Sequence, residues 1–116
     1  MGITPWQVNH GHHLLADGTF AFMNNGAGTP ATARVLRLDT ATMTATDVLS
    51  YQTTSATSMF LGDIQRLPNG NFLVTYMTGS QIREIDPSGQ LVALFPARAM
   101  LGYSEFRESL YGPPPY

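Results

Sequence analysis

All three histidines of the chain fall in one tetrapeptide, His10-Gly11-His12-His13. An imidazole ligates metals, moves protons, or attacks electrophiles as a neutral nucleophile, because its free pKa of about 6.5 leaves the neutral form dominant at pH 7. On an alternating strand His10 and His12 share one face and His13 takes the other. Two imidazoles with only Asp17 nearby, across a turn, make a weak ligand set, so no metal is assigned. Two roles stay open on chemistry alone: histidines satisfied by backbone partners, or a nucleophile at His10. The chain has no cysteine, which removes disulfides and thiolate metal sites together.

The six basic residues are all arginine. Arg34 and Arg37 stand three apart on one apolar stretch, and arginine grips sulfate, phosphate or carboxylate through two parallel hydrogen bonds. For Arg37, pairing with an acidic cross-strand neighbour is the better expectation. Asn24-Asn25-Gly26-Ala27-Gly28 is glycine-rich, yet it lacks the lysine and following helix of a phosphate loop. It reads as an inter-strand loop, with an anion nest as the lesser option.

The elements that must carry these residues follow from composition and punctuation. With 116 residues the chain has room for one domain, read as a single unit over 1–116. Its 43% hydrophobic and 12% charged residues exclude disorder as the main state. A net charge of −2 without clustered basic residues excludes a broad nucleic-acid footprint, so no nucleic-acid partner is expected. No apolar run reaches the roughly 20 residues of a membrane-spanning helix. The segment Met1–Trp6 lacks the charged start and apolar stretch of a secretion signal. Eleven glycines, eight prolines and thirteen threonines favour turns and strands. The expected class is all-β.

One pattern occurs twice. Leu14-Leu-Ala-Asp17-Gly18-Thr-Phe20-Ala-Phe22 matches Arg66-Leu67-Pro-Asn69-Gly70-Asn-Phe72-Leu-Val74, 52 residues later. Asp-Gly and Asn-Gly are the dipeptides a two-residue hairpin prefers, with positive φ at the glycines. A third strand ending in Asp follows in each copy, Arg34 to Asp39 and Gln81 to Asp86, at a separation of 47. Val35, Arg37 and Asp39 alternate with Leu36 and Leu38 as on a half-buried strand. Ile82 and Ile85 break that alternation, which fits either a bulge or a strand buried on both faces.

Four short strands repeating at this interval are the pattern of propeller blades. The expected architecture is two four-stranded propeller-type blades, at 10–51 and 58–95, with a short C-terminal helix or coil extension over 96–116. A single eight-stranded sandwich or barrel is the competing expectation. Around 104–110 Ser104 is a candidate helix cap, against a chain end packed on the sheets. The terminal Gly112-Pro-Pro-Pro-Tyr116 also suits proline-reading domains. Two blades cannot close a ring, so the expected outer faces leave Phe20, Phe22, Phe72, Val74 and Leu94 partly bare. Self-association, as a closed ring or an open filament, is therefore an expected partnership.

The histidine segment followed by Asn24-Asn25-Gly26, and then Arg34-Val35-Leu36-Arg37-Leu38-Asp39, resembles part of the bacterial arylsulfotransferases. Asp63-Ile-Gln-Arg66-Leu67-Pro68-Asn69-Gly70 and Gly102-Tyr-Ser-Glu-Phe-Arg-Glu-Ser-Leu-Tyr-Gly-Pro-Pro are similar to later parts of the same family. The resemblance covers most of the chain and places it as a C-terminal third. It departs from the family at Asn9, usually Gln, and Asn24, usually Asp. The family's other active-site histidines and arginines lie in earlier blades.

The resemblance implies a six-bladed propeller, periplasmic or extracellular, without a cofactor. It implies sulfuryl transfer from a phenolic sulfate ester to another phenol through a sulfated histidine, placed at His10. Arg34 matches a family arginine with a structural or anion-contact role, and His12 and Asn25 are assigned to substrate contact. Beside this enzyme reading stand a non-catalytic module that binds a ligand or protein, and a structural unit that assembles with itself.

Overall fold

Short apolar strands separated by glycine turns pair with their sequence neighbours, and the chain builds two meanders. The computed structural model describes residues 7–26 and 30–107. The first sheet holds β1 (Asn9–Leu14), β2 (Phe20–Asn24), β3 (Thr32–Asp39) and β4 (Thr44–Gln52) in that order. The second holds β5 (Asp63–Arg66), β6 (Phe72–Tyr76), β7 (Gln81–Ile85) and β8 (Leu91–Pro96). Every pairing is antiparallel. Among the described residues no strand bridges the sheets and no barrel closes, so the protein is all-β with two separate four-stranded sheets.

The turns differ from the two-residue form. Gly18 N–H donates to Leu15 O at 2.9 Å, and Leu15 N–H donates to Thr19 O at 2.8 Å. Gly18 and Gly70 have φ of +80° and +89°, whereas Asp17 and Asn69 keep ordinary negative φ. This is a three-residue hairpin, a type I turn closed by a left-handed glycine. The arrangement recurs at Leu67, Gly70 and Asn71 and again at Asp86, Gly89 and Gln90. Asp17, Asn69 and Asp86 each accept a backbone N–H two residues on, which steadies the turn.

The two sheets repeat more closely than the strand-ending aspartates suggest, and at a different offset. Phe20 lies opposite Leu36, and Phe72 lies opposite Ile85. The third strands thus correspond at a separation of 49, and the 47 drawn from Asp39 and Asp86 is corrected. The reason is length: β3 runs three residues beyond its buried part, through exposed Arg37, Leu38 and Asp39. Leu38 is exposed rather than inward. Each sheet carries a bulge at the matching place, with Val48 unpaired on β4 and Val92 unpaired on β8. No bulge interrupts β7, which pairs in regular register with β6, so Ile82 and Ile85 fall on opposite faces, Ile82 half-buried and Ile85 buried. Ile85 is buried against the first sheet while Ile82 faces the other way.

The core lies between the sheets. Ala21, Met23, Ala33, Val35, Leu49 and Tyr51 meet Ile64, Phe72, Val74, Tyr76 and Ile85. Phe72 and Val74 are therefore buried, not bare, and Phe22 and Leu36 are buried as well on the opposite face of the first sheet. Leu94 is exposed as expected, in company with Leu91, Val92 and Phe95.

Beyond β8 the described chain is coil, with no helical turn at 104–107. Ser104 caps nothing, because its hydroxyl pairs with that of Thr75 at 2.5 Å. Phe106 N–H donates to Gln65 Oε1 at 3.0 Å, and Gly62 N–H donates to Gly102 O at 3.0 Å. This coil lies along β5 and β6. The rest of the expected helix and the proline-rich end lie outside the described residues. No helix among the described residues is long and apolar enough to cross a membrane.

Candidate functional site

The histidine strand does not alternate simply. His10 lies opposite Met23 and His13 lies opposite Ala21, so the two share a face. Gly11, at φ +66°, opens a bulge between them. His12 turns to the other face and stacks on Phe22, with ring centroids 5.8 Å apart. The expected pairing of His10 with His12 is thus corrected to His10 with His13. Glycine is required at position 11 for a second reason. A Cβ there would stand 2.5 Å from an Asp63 carboxylate oxygen.

This close approach of β1 and β5 forms a cleft of about 620 Å³. Its walls include His10, His12, His13, Asp63, Gln65, Tyr103 and Glu105. Asp63 is buried and accepts from Ile64 N–H at 2.8 Å and from Gln65 Nε2 at 3.1 Å. Burial pushes its carboxyl above the usual range, and those hydrogen bonds and the His13 charge offset the rise only in part. Among the described residues no arginine lines this cleft, and no three His, Asp or Glu side chains stand close enough to hold a metal.

His10 is held along one edge. Its Nδ1 lies 2.7 Å from Asn25 Oδ1 and 3.2 Å from the Leu61 N–H. Asn25 is only 2% exposed, and its Nδ2 donates to Ser58 O at 2.7 Å and to Leu61 O at 2.9 Å. His10 Nε2 makes no hydrogen bond among the described residues. The structure therefore brings His10 and Asn25 together, with Asn25 beneath the histidine and its donors committed to backbone carbonyls.

Arg34 lies elsewhere. It sits opposite Phe22, on the face of the first sheet turned away from His10's neighbour Met23. Its guanidinium, 4% exposed, grips Asp47 through Nε at 3.1 Å and Nη2 at 2.7 and 2.8 Å. The register makes Arg83 its counterpart in the second sheet, opposite Val74. Sequence reasoning missed the role of Arg83, and also Asp63 as part of the histidine cleft. The register equivalence with Arg34 was the available signal for Arg83. Contact between Gly11 and Asp63 had no local signal.

No family model matches the chain, and no curated protein matches it. Among solved structures it is similar to a protein of unknown function from Bacteroides caccae, with a TM-score of 0.58 and 20% identity. The likeness covers 86% of this chain and 35% of that one, so the chain spans about a third of that neighbour's length. What the two share is the fold.

Proposed function

We propose that this chain supplies the covalent histidine of an arylsulfotransferase-like propeller. The observation that carries the reading is the setting of His10. Its Nδ1 edge is anchored by Asn25 while Nε2 has no hydrogen-bond partner among the described residues, in a side chain that lines an open cleft. In the first step Nε2 attacks the sulfur of a phenolic sulfate ester. The N–S bond forms, the S–O(aryl) bond breaks, and the phenolate leaves with the electron pair. In the second step an acceptor phenol attacks the same sulfur and passes its proton to solvent; the new S–O(aryl) bond forms, the N–S bond breaks, and the electron pair returns to Nε2.

Repetition supports the propeller part of this reading: the sheets match in register, turns and bulges. In the six-bladed ring that the resemblance implies, two sheets make a third. The cleft carries Asp63 and Glu105 and no arginine among the described residues, so cations for the sulfate come from other sheets of the assembled ring. The assay is transfer from a chromogenic aryl sulfate to a phenol, by the assembled protein. Release of the donor phenol by wild type and its loss in His10→Ala supports the reading; equal release by both removes His10 from the chemistry.

A second reading, self-assembly without catalysis, is favoured by β8. This edge strand exposes Leu91, Val92, Leu94 and Phe95 at 46–55%, beside unpaired backbone groups.

A further inference from the structure

We propose that Asn25 is a positioning residue that fixes the tautomer of His10, and that it does so only because the second sheet fixes Asn25. This inference rests on the reading of His10 as the nucleophile and adds how its reactive nitrogen is kept bare. Two groups compete for His10 Nδ1. Asn25 Oδ1, at 2.7 Å, requires a proton on Nδ1; the Leu61 N–H, at 3.2 Å, requires a lone pair there.

The amide of Asn25 decides the contest. Its Nδ2 spans two backbone carbonyls, Ser58 O at 2.7 Å and Leu61 O at 2.9 Å. Turning the amide over would aim its oxygen at both carbonyl oxygens and leave three acceptors facing one another. The oxygen therefore points at His10, and a lone pair on Nδ1 would meet it at 2.7 Å with no proton between them. Nδ1 carries the proton, donates to Asn25, and leaves Nε2 as a bare lone pair. The Leu61 N–H is left as the longer, weaker neighbour.

This arrangement joins the sheets to the chemistry. Asn25 follows β2 of the first sheet, and Ser58 and Leu61 lie in the segment leading into β5 of the second. Separation of the sheets would remove the two carbonyls, free the amide to turn, and release His10 to the Nε2–H form. Asn25 touches no substrate in this account. With 2% exposure and its donors engaged, it acts through His10.

The test is the tautomer itself, read by long-range proton–nitrogen correlation on histidine-labelled protein without substrate. Wild-type His10 should show a protonated Nδ1 and a bare Nε2, and the Hδ1 proton should exchange slowly and give cross-peaks to the Asn25 side-chain amide. Asn25→Ala should shift His10 toward Nε2–H, the form free histidine favours. That variant also loses both links to the second sheet; if it does not fold, the wild-type cross-peaks decide. A wild-type His10 protonated on Nε2, or an Hδ1 without contact to Asn25, overturns the proposal. Failure here is distinct from failure of the enzyme reading. The Nδ1–H form without sulfation removes only the chemistry, and sulfation with the Nε2–H resting form removes only this role for Asn25.

Discussion

Arg83 donates to the Tyr51 hydroxyl at 3.0 Å, and this hydrogen bond crosses from the inner strand of one sheet to the edge strand of the other. The guanidinium is buried and has no carboxylate partner among the described residues. Tyr51, Ser55 and Gln81 satisfy it with neutral oxygens. Close by, the Tyr76 hydroxyl is buried without a hydrogen-bond partner among the described residues, and burial pushes its phenol well above the usual range. The two tyrosines should respond oppositely. Tyr51→Phe strands a buried charged donor and should cost about 1–3 kcal/mol. Tyr76→Phe removes an unsatisfied hydroxyl and should be neutral or stabilising. Urea denaturation of the two variants separates them, and equal losses would contradict this picture of the sheet junction.

The glycines divide by cause. A Cβ on Gly18 or Gly70 meets nothing within 4 Å, so Gly18→Val and Gly70→Val suffer only from the left-handed backbone, at about 1 kcal/mol or more. At Gly11 a Cβ adds a collision with Asp63 to the same strain. Gly11→Ala should cost roughly 2 kcal/mol or more and displace His10, visible as a changed histidine spectrum. Gly18→Val should leave that spectrum alone.

Acid should weaken the fold through its turns. Hydrogen bonds from the Thr19 hydroxyl and backbone, and then the Arg66 guanidinium, hold the Asp17 carboxyl down to about 2. Asp39 and Asp86 are lowered too, chiefly by the hydroxyls of Thr42 and Ser88. A carboxyl with a depressed folded-state pKa stabilises above its unfolded value, and that contribution is lost as pH falls through the folded one. Stability should therefore drop between pH about 4 and about 2. Asp63 works in reverse, since burial raises it and its protonation relieves the folded state. Thr19→Val should flatten the acid slope more than Arg66→Ala, and the opposite order would contradict the ranking of causes. Both are read from denaturant midpoints against pH.

Much of this architecture was legible because it is local. The repeated pattern of apolar stretches and turn dipeptides marked the strands of both sheets, and their order followed from short connections. Asp17-Gly18 and Asn69-Gly70 marked the turns but not their type, because the same dipeptides serve both, and the Leu15–Thr19 backbone pair decides. What sequence could not show was decided across the sheets. The bulge at Gly11 depends on Asp63, 52 positions away. The cap expected at Ser104 gives way to the hydroxyl of Thr75. At the site, His10 and Asn25 were legible as residues, but their mutual contact required the second sheet to hold Asn25.

Self-association should run through β8. If its exposed face joins copies, sedimentation at micromolar concentration should show a trimer or an open filament, and Phe95→Asp should reduce both. A folded monomer, stable on dilution, would contradict this.

The proposed transfer passes through a covalent bond between His10 and sulfur, and mass spectrometry of the protein quenched after exposure to an aryl sulfate detects that bond. Wild type should carry one added sulfo group, mapped to His10 in the digest, lost on adding an acceptor phenol and absent from His10→Ala. An assembled wild-type protein that stays unmodified under these conditions, or carries the group on another residue, would contradict it.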